Sequence, residues 1–125
     1  MEVGKIATAQ VAVTEKNTAK AVGSGNLNVF ATPMMIALME QAACECLADD
    51  LTATQSSVGT QINVAHTAAS PIGETIIATA TIDQIDDRKV LFTVSARDSK
   101  NEIGKGTHER FVIDAERFMS KLEQR

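Results

Sequence analysis

The spacing of apolar and polar side chains along the chain changes twice. Residues 5–14 (Lys-Ile-Ala-Thr-Ala-Gln-Val-Ala-Val-Thr) are rich in small and β-branched side chains and read as a strand. Thr18 to Ser24 reads as a second, shorter one before the break Gly23-Ser24-Gly25-Asn26. Thr32-Pro33 then opens a helix, since a threonine hydroxyl can accept from the first free amides and a proline there lacks an N–H the helix would not use. The apolar run that follows predicts a helix from Pro33 to about Asp49 or Leu51. After a loop rich in Thr, Ser and Gln the period becomes two: Ile62, Val64, His66 and Ala68 share one face. Beyond the turn Pro71-Ile72-Gly73, residues 74–85 alternate through Ile76, Ala78, Ala80 and Ile82. Asp86-Asp87 marks a hairpin, Arg88 to Asp98 turns Val90, Phe92, Val94 and Ala96 inward, and Ile103 to Asp114 closes the sheet after the turn Ser99–Glu102. Residues 115–125 form a short amphipathic helix or a frayed end.

These elements predict an α+β fold, one domain over residues 1–125, with an antiparallel sheet of about five strands wrapped around one long central helix. The helix is apolar on nearly every side and needs cover on more than one. A single curved sheet covers only part of it, so a second copy of the chain is the natural source of the rest.

Composition narrows the function. With 125 residues and 44% hydrophobic content the chain can bury a core but has no room for a separate cofactor domain. It has no Trp, no Tyr and four Phe, so stacking platforms for single-stranded nucleic acid are scarce. A net charge of -4 and scattered Lys and Arg argue against nucleic acid as a partner. The N-terminus lacks the pattern of a signal peptide, and Pro33, Glu40, Gln41 and Glu45 interrupt the apolar helix, so no membrane segment and a cytoplasmic location are expected. Cys44 and Cys46 point about 200° apart on a helix, cannot bridge, and read as small buried apolar residues. Two such cysteines and two distant histidines do not supply a metal site.

Glu40 is the residue that suggests chemistry. It stands in an otherwise apolar helical run, where a carboxylate is desolvated unless a partner or a water-filled cleft rescues it. A carboxyl group so held suits proton transfer. The competing reading places Glu40, Glu45 and Asp49 on one solvated stripe. Thr32 is in the same way a helix cap, a reactive hydroxyl, or both.

The run Ala31-Thr32-Pro33 through Glu40-Gln41-Ala42-Ala43, then Val58-Gly59-Thr60-Gln61-Ile62-Asn63-Val64-Ala65-His66 and Pro71-Ile72-Gly73-Glu74, resembles the hot-dog-fold acyl-CoA thioesterases. Within them it is most similar to the fluoroacetyl-CoA thioesterase group, over roughly Lys5 to Asp114. The resemblance implies a dimer with active sites at the interface, and leaves open whether dimers pair again into a dimer of dimers. It implies catalytic roles for Thr32, Glu40 and His66 and substrate contacts from Gly59, Phe30 and Arg110. No cofactor is implied, coenzyme A being part of the substrate. Fluoroacetyl-specific members carry phenylalanines in the lid before the threonine, whereas here that stretch is Gly23-Ser24-Gly25-Asn26-Leu27-Asn28-Val29-Phe30, so a small or short-chain acyl group is the expectation.

Thr32 and Glu40 lie about 12 Å apart along one helix and cannot share a hydrogen bond within a chain. Either the site is elongated, or two chains combine their residues. Two other readings keep the fold: a non-catalytic acyl-CoA binder in which Glu40 and His66 only order the pocket, and an enoyl-CoA hydratase. Hydratases of this fold typically carry an Asp and a His separated by a few residues after a strand, and near His66 no Asp follows until Asp83.

Overall fold

The computed structural model describes residues 1–125. Its elements are β1 (Ile6–Ala12), a 3-10 turn (Glu15–Asn17), α1 (Ala19–Val22), α2 (Thr32–Ala48), β2 (Gln55–His66), β3 (Thr75–Asp86), β4 (Lys89–Arg97), β5 (Glu102–Asp114) and α3 (Ala115–Glu123). All strand pairings are antiparallel, in the order β1-β3-β4-β5-β2. The expected sheet on a long helix is therefore present. β1 and β2 are its two edges.

Helix α2 buries Met35, Leu38, Met39, Ala42, Ala43, Cys46 and Leu47, a recurrence every three or four residues that makes one face. That face packs on the inward side chains of β3 (Ile76, Ala78, Ala80, Ile82) and β4 (Val90, Phe92, Val94, Ala96), all at most 1% exposed. The alternation in β3 and β4 is thus as the sequence predicts. The helix is not enclosed on every side. Thr32, Pro33, Ala37, Gln41, Cys44, Glu45 and Ala48 are exposed, and most of them are small. Cys44 belongs to this open stripe, which corrects the expectation that both cysteines are buried; Cys46 is buried.

Two further expectations change, and the open reading of the C-terminal residues is decided. Thr18 to Ser24 is not a strand: Thr18 Oγ1 accepts from the Ala21 amide and Gly23 closes the short helix α1 at φ 78°, a left-handed conformation that favours glycine. The Thr/Ser/Gln-rich segment is not a loop but the first half of β2, paired with β5 from Gln55↔Asp114 onward. The residues after Asp114 form helix α3, capped by the Asp114 carboxylate on the Arg117 amide at 3.0 Å. Asp87, with φ 55°, makes the tight β3–β4 hairpin as expected.

Phe92 is the largest inward side chain of β4 and stacks beside His108, ring centroids 6.0 Å apart. Phe92→Ala is expected to cost about 3–5 kcal/mol of stability. Urea unfolding reads this as a lower midpoint; a loss below about 1 kcal/mol would show that the core closes around the gap.

Candidate active site

The first cluster forms where α2 begins. The residue capping the helix is Ala31, not Thr32, and no side chain bonds the first turn. The Met34 and Met35 amides both reach the Ala31 carbonyl at 3.0 Å, and Pro33 has no N–H, so the helix end offers only the Thr32 amide rather than a set of free donors. Released from capping, the Thr32 hydroxyl lies 2.7 Å from His66 Nδ1. His66 ends β2 and pairs with Gly104 on β5. A Cβ at Gly104 would stand 2.6 Å from Met35 Sδ, so the bare backbone there lets the start of α2 settle against the His66 end of the sheet.

Thr32 and His66 line a cavity of about 270 Å³ together with Ala19, Val29, Phe30 and Ala68. Phe30 is 1% exposed, and its amide bonds the Ser70 carbonyl at 2.9 Å. Ser70 in turn donates to buried Asp98 at 2.7 Å, which also accepts from the Lys100 and Asn101 amides. Those amide bonds, the Lys100 one foremost, hold the Asp98 carboxyl below its ordinary range. The network anchors the loop behind His66. Burial lowers the His66 pKa from its usual 6.5, so the ring is neutral at pH 7. Its Nε2 is buried and has no hydrogen-bond partner.

The second cluster surrounds Glu40. Here the structure overturns the expectation of a desolvated acid. The Glu40 side chain is 41% exposed, and its Oε2 accepts from Arg110 Nη1 at 3.0 Å. Arg110, legible in the sequence only as a pocket residue by resemblance, is 6% exposed and held on several sides. Its Nε donates to Ser57 Oγ at 2.9 Å, its Nη2 to the Ser57 carbonyl at 3.1 Å. Gly59 faces Arg110 on the neighbouring strand, at a β-bulge between Gly59 and Gln61. It is not a turn glycine. A Cβ there would lie 2.6 Å from Glu40 Oε2 and 3.2 Å from Arg110 Nη1, so only glycine leaves room for the pair. Glu40, Gly59, Thr60, Gln61, Ile62 and His108 line a cavity of about 290 Å³. His108 is a member that the sequence did not reveal: Gln61 and Glu40 are far from it in the chain, and no motif marks it.

The structure therefore joins Thr32 to His66 and Glu40 to Gly59 and Arg110, but keeps the two groups apart. Glu40 is two helical turns from Thr32, and Gly59 lies roughly 20 Å along β2 from His66. No set of three His, Cys, Asp or Glu side chains is placed to hold a metal ion. No helix is long and apolar enough to cross a membrane.

Residues 13–116 match the family model of the fluoroacetyl-CoA-specific thioesterase FlK. The fluoroacetyl-CoA thioesterase of Streptantibioticus cattleyicolor is 45% identical over 97 residues, covering 78% of this chain and 70% of the relative. The solved structure of the fluoroacetyl-CoA thioesterase FlK superposes with a TM-score of 0.94 at 38% identity, over 100% of this chain and 97% of the other. A hot-dog-like protein from Thermanaerovibrio acidaminovorans superposes with a TM-score of 0.88 at 24% identity, over 98% and 90% of the two chains, a likeness of fold.

Burial lowers the pKa of His108 as well as of His66. Two histidines that stay neutral when folded but charge freely when unfolded make the unfolded state bind more protons below pH 6.5. Stability is then fully present above that value and declines as the pH falls through the window below it. Denaturant midpoints taken from pH 8 to pH 5 check this; a midpoint that is flat or rises on acidification would contradict the assignment.

Proposed function

The chain belongs to the fluoroacetyl-CoA-specific thioesterase family and is a thioester hydrolase of the hot-dog fold; from this premise we propose that it hydrolyses a small or short-chain acyl-CoA to the free acid and coenzyme A. The observation that carries the reading is the hydrogen bond of 2.7 Å between Thr32 Oγ1 and His66 Nδ1 beside a buried, unpartnered Nε2. In the tautomer that donates Nδ1–H to Thr32, the lone pair on Nε2 is the base. The Thr32 hydroxyl is then free to donate to the thioester carbonyl oxygen.

Water attacks the carbonyl carbon and gives its proton to Nε2, while the carbonyl oxygen gains charge against the Thr32 hydroxyl and a backbone amide. The tetrahedral adduct collapses by breaking the C–S bond, and the imidazolium returns the proton to the departing sulfur. A carboxylate near the ring stabilises that imidazolium. Glu40 of the same chain is too far along α2 for this, so the reading assigns the role to Glu40 of a second copy, with Gly59 beside it.

The exposed features suit such a dimer. β2 is an edge strand of 12 residues whose outer backbone groups pair with no other strand, and the open stripe of α2 is made mostly of small residues. Two copies related by a two-fold axis that pairs β2 with β2 bring the His66 end of one strand to the Gly59 end of the other. The cavity limits the acyl group. Phe30 forms its wall, but the lid ahead of Thr32 offers no other aromatic side chain, and Leu27 in it is 68% exposed. This favours a small acyl group over selection for fluorine.

Thiol release from a panel of acyl-CoA esters tests the reading. Thr32→Ala, Glu40→Gln and His66→Ala are each expected to lower kcat by about 10²- to 10⁴-fold. Full activity in Glu40→Gln would remove Glu40 from the mechanism, and tight acyl-CoA binding without turnover by the wild type would favour a non-catalytic binder. Gly59→Ala is expected to lose at least tenfold in kcat/KM, because its Cβ displaces the Glu40–Arg110 pair; a wild-type value would show that the pair need not stay in place.

A further inference from the structure

His108 is the one buried histidine that the proposed chemistry leaves unused. It is 3% exposed and stands on β5 two residues before Arg110. Its Nδ1 lies 2.8 Å from the Gln61 carbonyl oxygen, which only accepts, so Nδ1 carries the proton. In the neutral ring Nε2 is consequently a lone pair. It lies 3.2 Å from Arg110 Nη1, which donates to it. Although Glu40 Oε2 is 3.9 Å from the same Nε2, no proton sits between them, so Glu40 and His108 are not directly bonded. Arg110 Nη1 thus directs its two hydrogens to two acceptors, Glu40 and His108.

From this geometry we infer that His108 is a positioning residue for the hydrolysis, aiming the Arg110 guanidinium and through it the Glu40 carboxylate. The inference rests on the role proposed above for Glu40. Ser57 fixes one side of the guanidinium through Nε and Nη2; without His108 the Nη1 side is held by Glu40 alone. Holding Oε2 leaves Oε1 free to face the cavity. The imidazole can do this only while neutral, since a protonated Nε2 would turn an N–H toward the Arg110 cation. The charged groups facing the ring are Arg110 on its own strand, Glu40 from α2 and Glu109. Burial dominates over them and keeps the ring neutral.

The test uses kcat and KM for one acyl-CoA across pH in the wild type, His108→Leu, His108→Gln, Glu40→Gln and the double variant His108→Leu/Glu40→Gln. Leucine fills the space beside Phe92 but accepts nothing. It is expected to lower kcat by about ten- to a hundredfold, the range for losing a hydrogen bond to a charged group, with KM little changed. Glutamine restores an acceptor toward Arg110 and is expected to recover most of that loss. The acid limb of kcat, which steepens in the wild type as both histidines charge, should fall to a one-proton slope in the glutamine variant. In the Glu40→Gln background, His108→Leu should cost little more, because the two act on one carboxylate. If His108→Leu melts earlier yet keeps wild-type kcat and pH profile, the histidine is merely structural and the inference falls. If Glu40→Gln is itself fully active, the reading of Glu40 fails first, and that outcome is separately visible.

Discussion

Eight residues of helix separate Thr32 from Glu40, and this fixed distance governs everything else in the molecule. A rigid helix cannot bend the hydroxyl and the carboxylate together, and the strand that carries His66 and Gly59 repeats the separation on the other side. Each chain therefore presents two separate groups of side chains, which the proposed function reads as two halves of a site. One holds a hydroxyl and a neutral base whose outer nitrogen has no partner. The other holds an acid clamped by an arginine at 3.0 Å. What unites them in the proposed assembly is the unpaired edge β2, which runs through both halves and on a two-fold axis would set the end of one beside the middle of the other.

The acid is maintained by pairing rather than by apolar surroundings. Arg110 is buried, and a guanidinium in that position needs acceptors for its N–H groups. Ser57, Glu40 and His108 supply them. A histidine beside an arginine is tolerable because the histidine is neutral, and it is neutral because burial outweighs the pull of the Gln61 carbonyl toward the charged form; the Nδ1 proton points at that carbonyl and leaves Nε2 as the acceptor. Gly59 completes the arrangement by having no side chain where Glu40 and Arg110 meet. Specific electrostatics and a local absence of volume thus act together.

The sheet was legible where burial imposes alternation. Strands β3 and β4 lie in the middle of the sheet, and their inward residues read directly from the sequence. The first half of β2 did not, because an edge strand with little buried surface has no apolar rhythm; its Thr, Ser and Gln looked like a loop. Thr18 to Gly23 misled for another reason, since a capping threonine and a left-handed glycine decide its turn of helix locally. Among the site residues, Thr32 and His66 are candidates from the sequence and prove to touch, and of the readings open for the Thr32 hydroxyl the structure removes the cap. Glu40 was flagged for burial and is instead paired. Arg110 lies 70 residues from Glu40, and sequence spacing carries no trace of that contact; His108 and Arg110 share a face of β5 by their spacing of two, but nothing in the sequence shows that this face meets Glu40.

The claim that two chains build each site is most directly tested by complementation. His66→Ala and Glu40→Gln chains, each inactive alone, are unfolded together in equal amounts, refolded and assayed. If the base and the acid come from different copies, each mixed dimer contains one intact site, and activity should return to about a quarter of the wild type, since half the dimers are mixed and each has one site of two. Recovery absent from a mixture shown to contain mixed dimers would mean that one chain supplies both residues, and the account would be wrong.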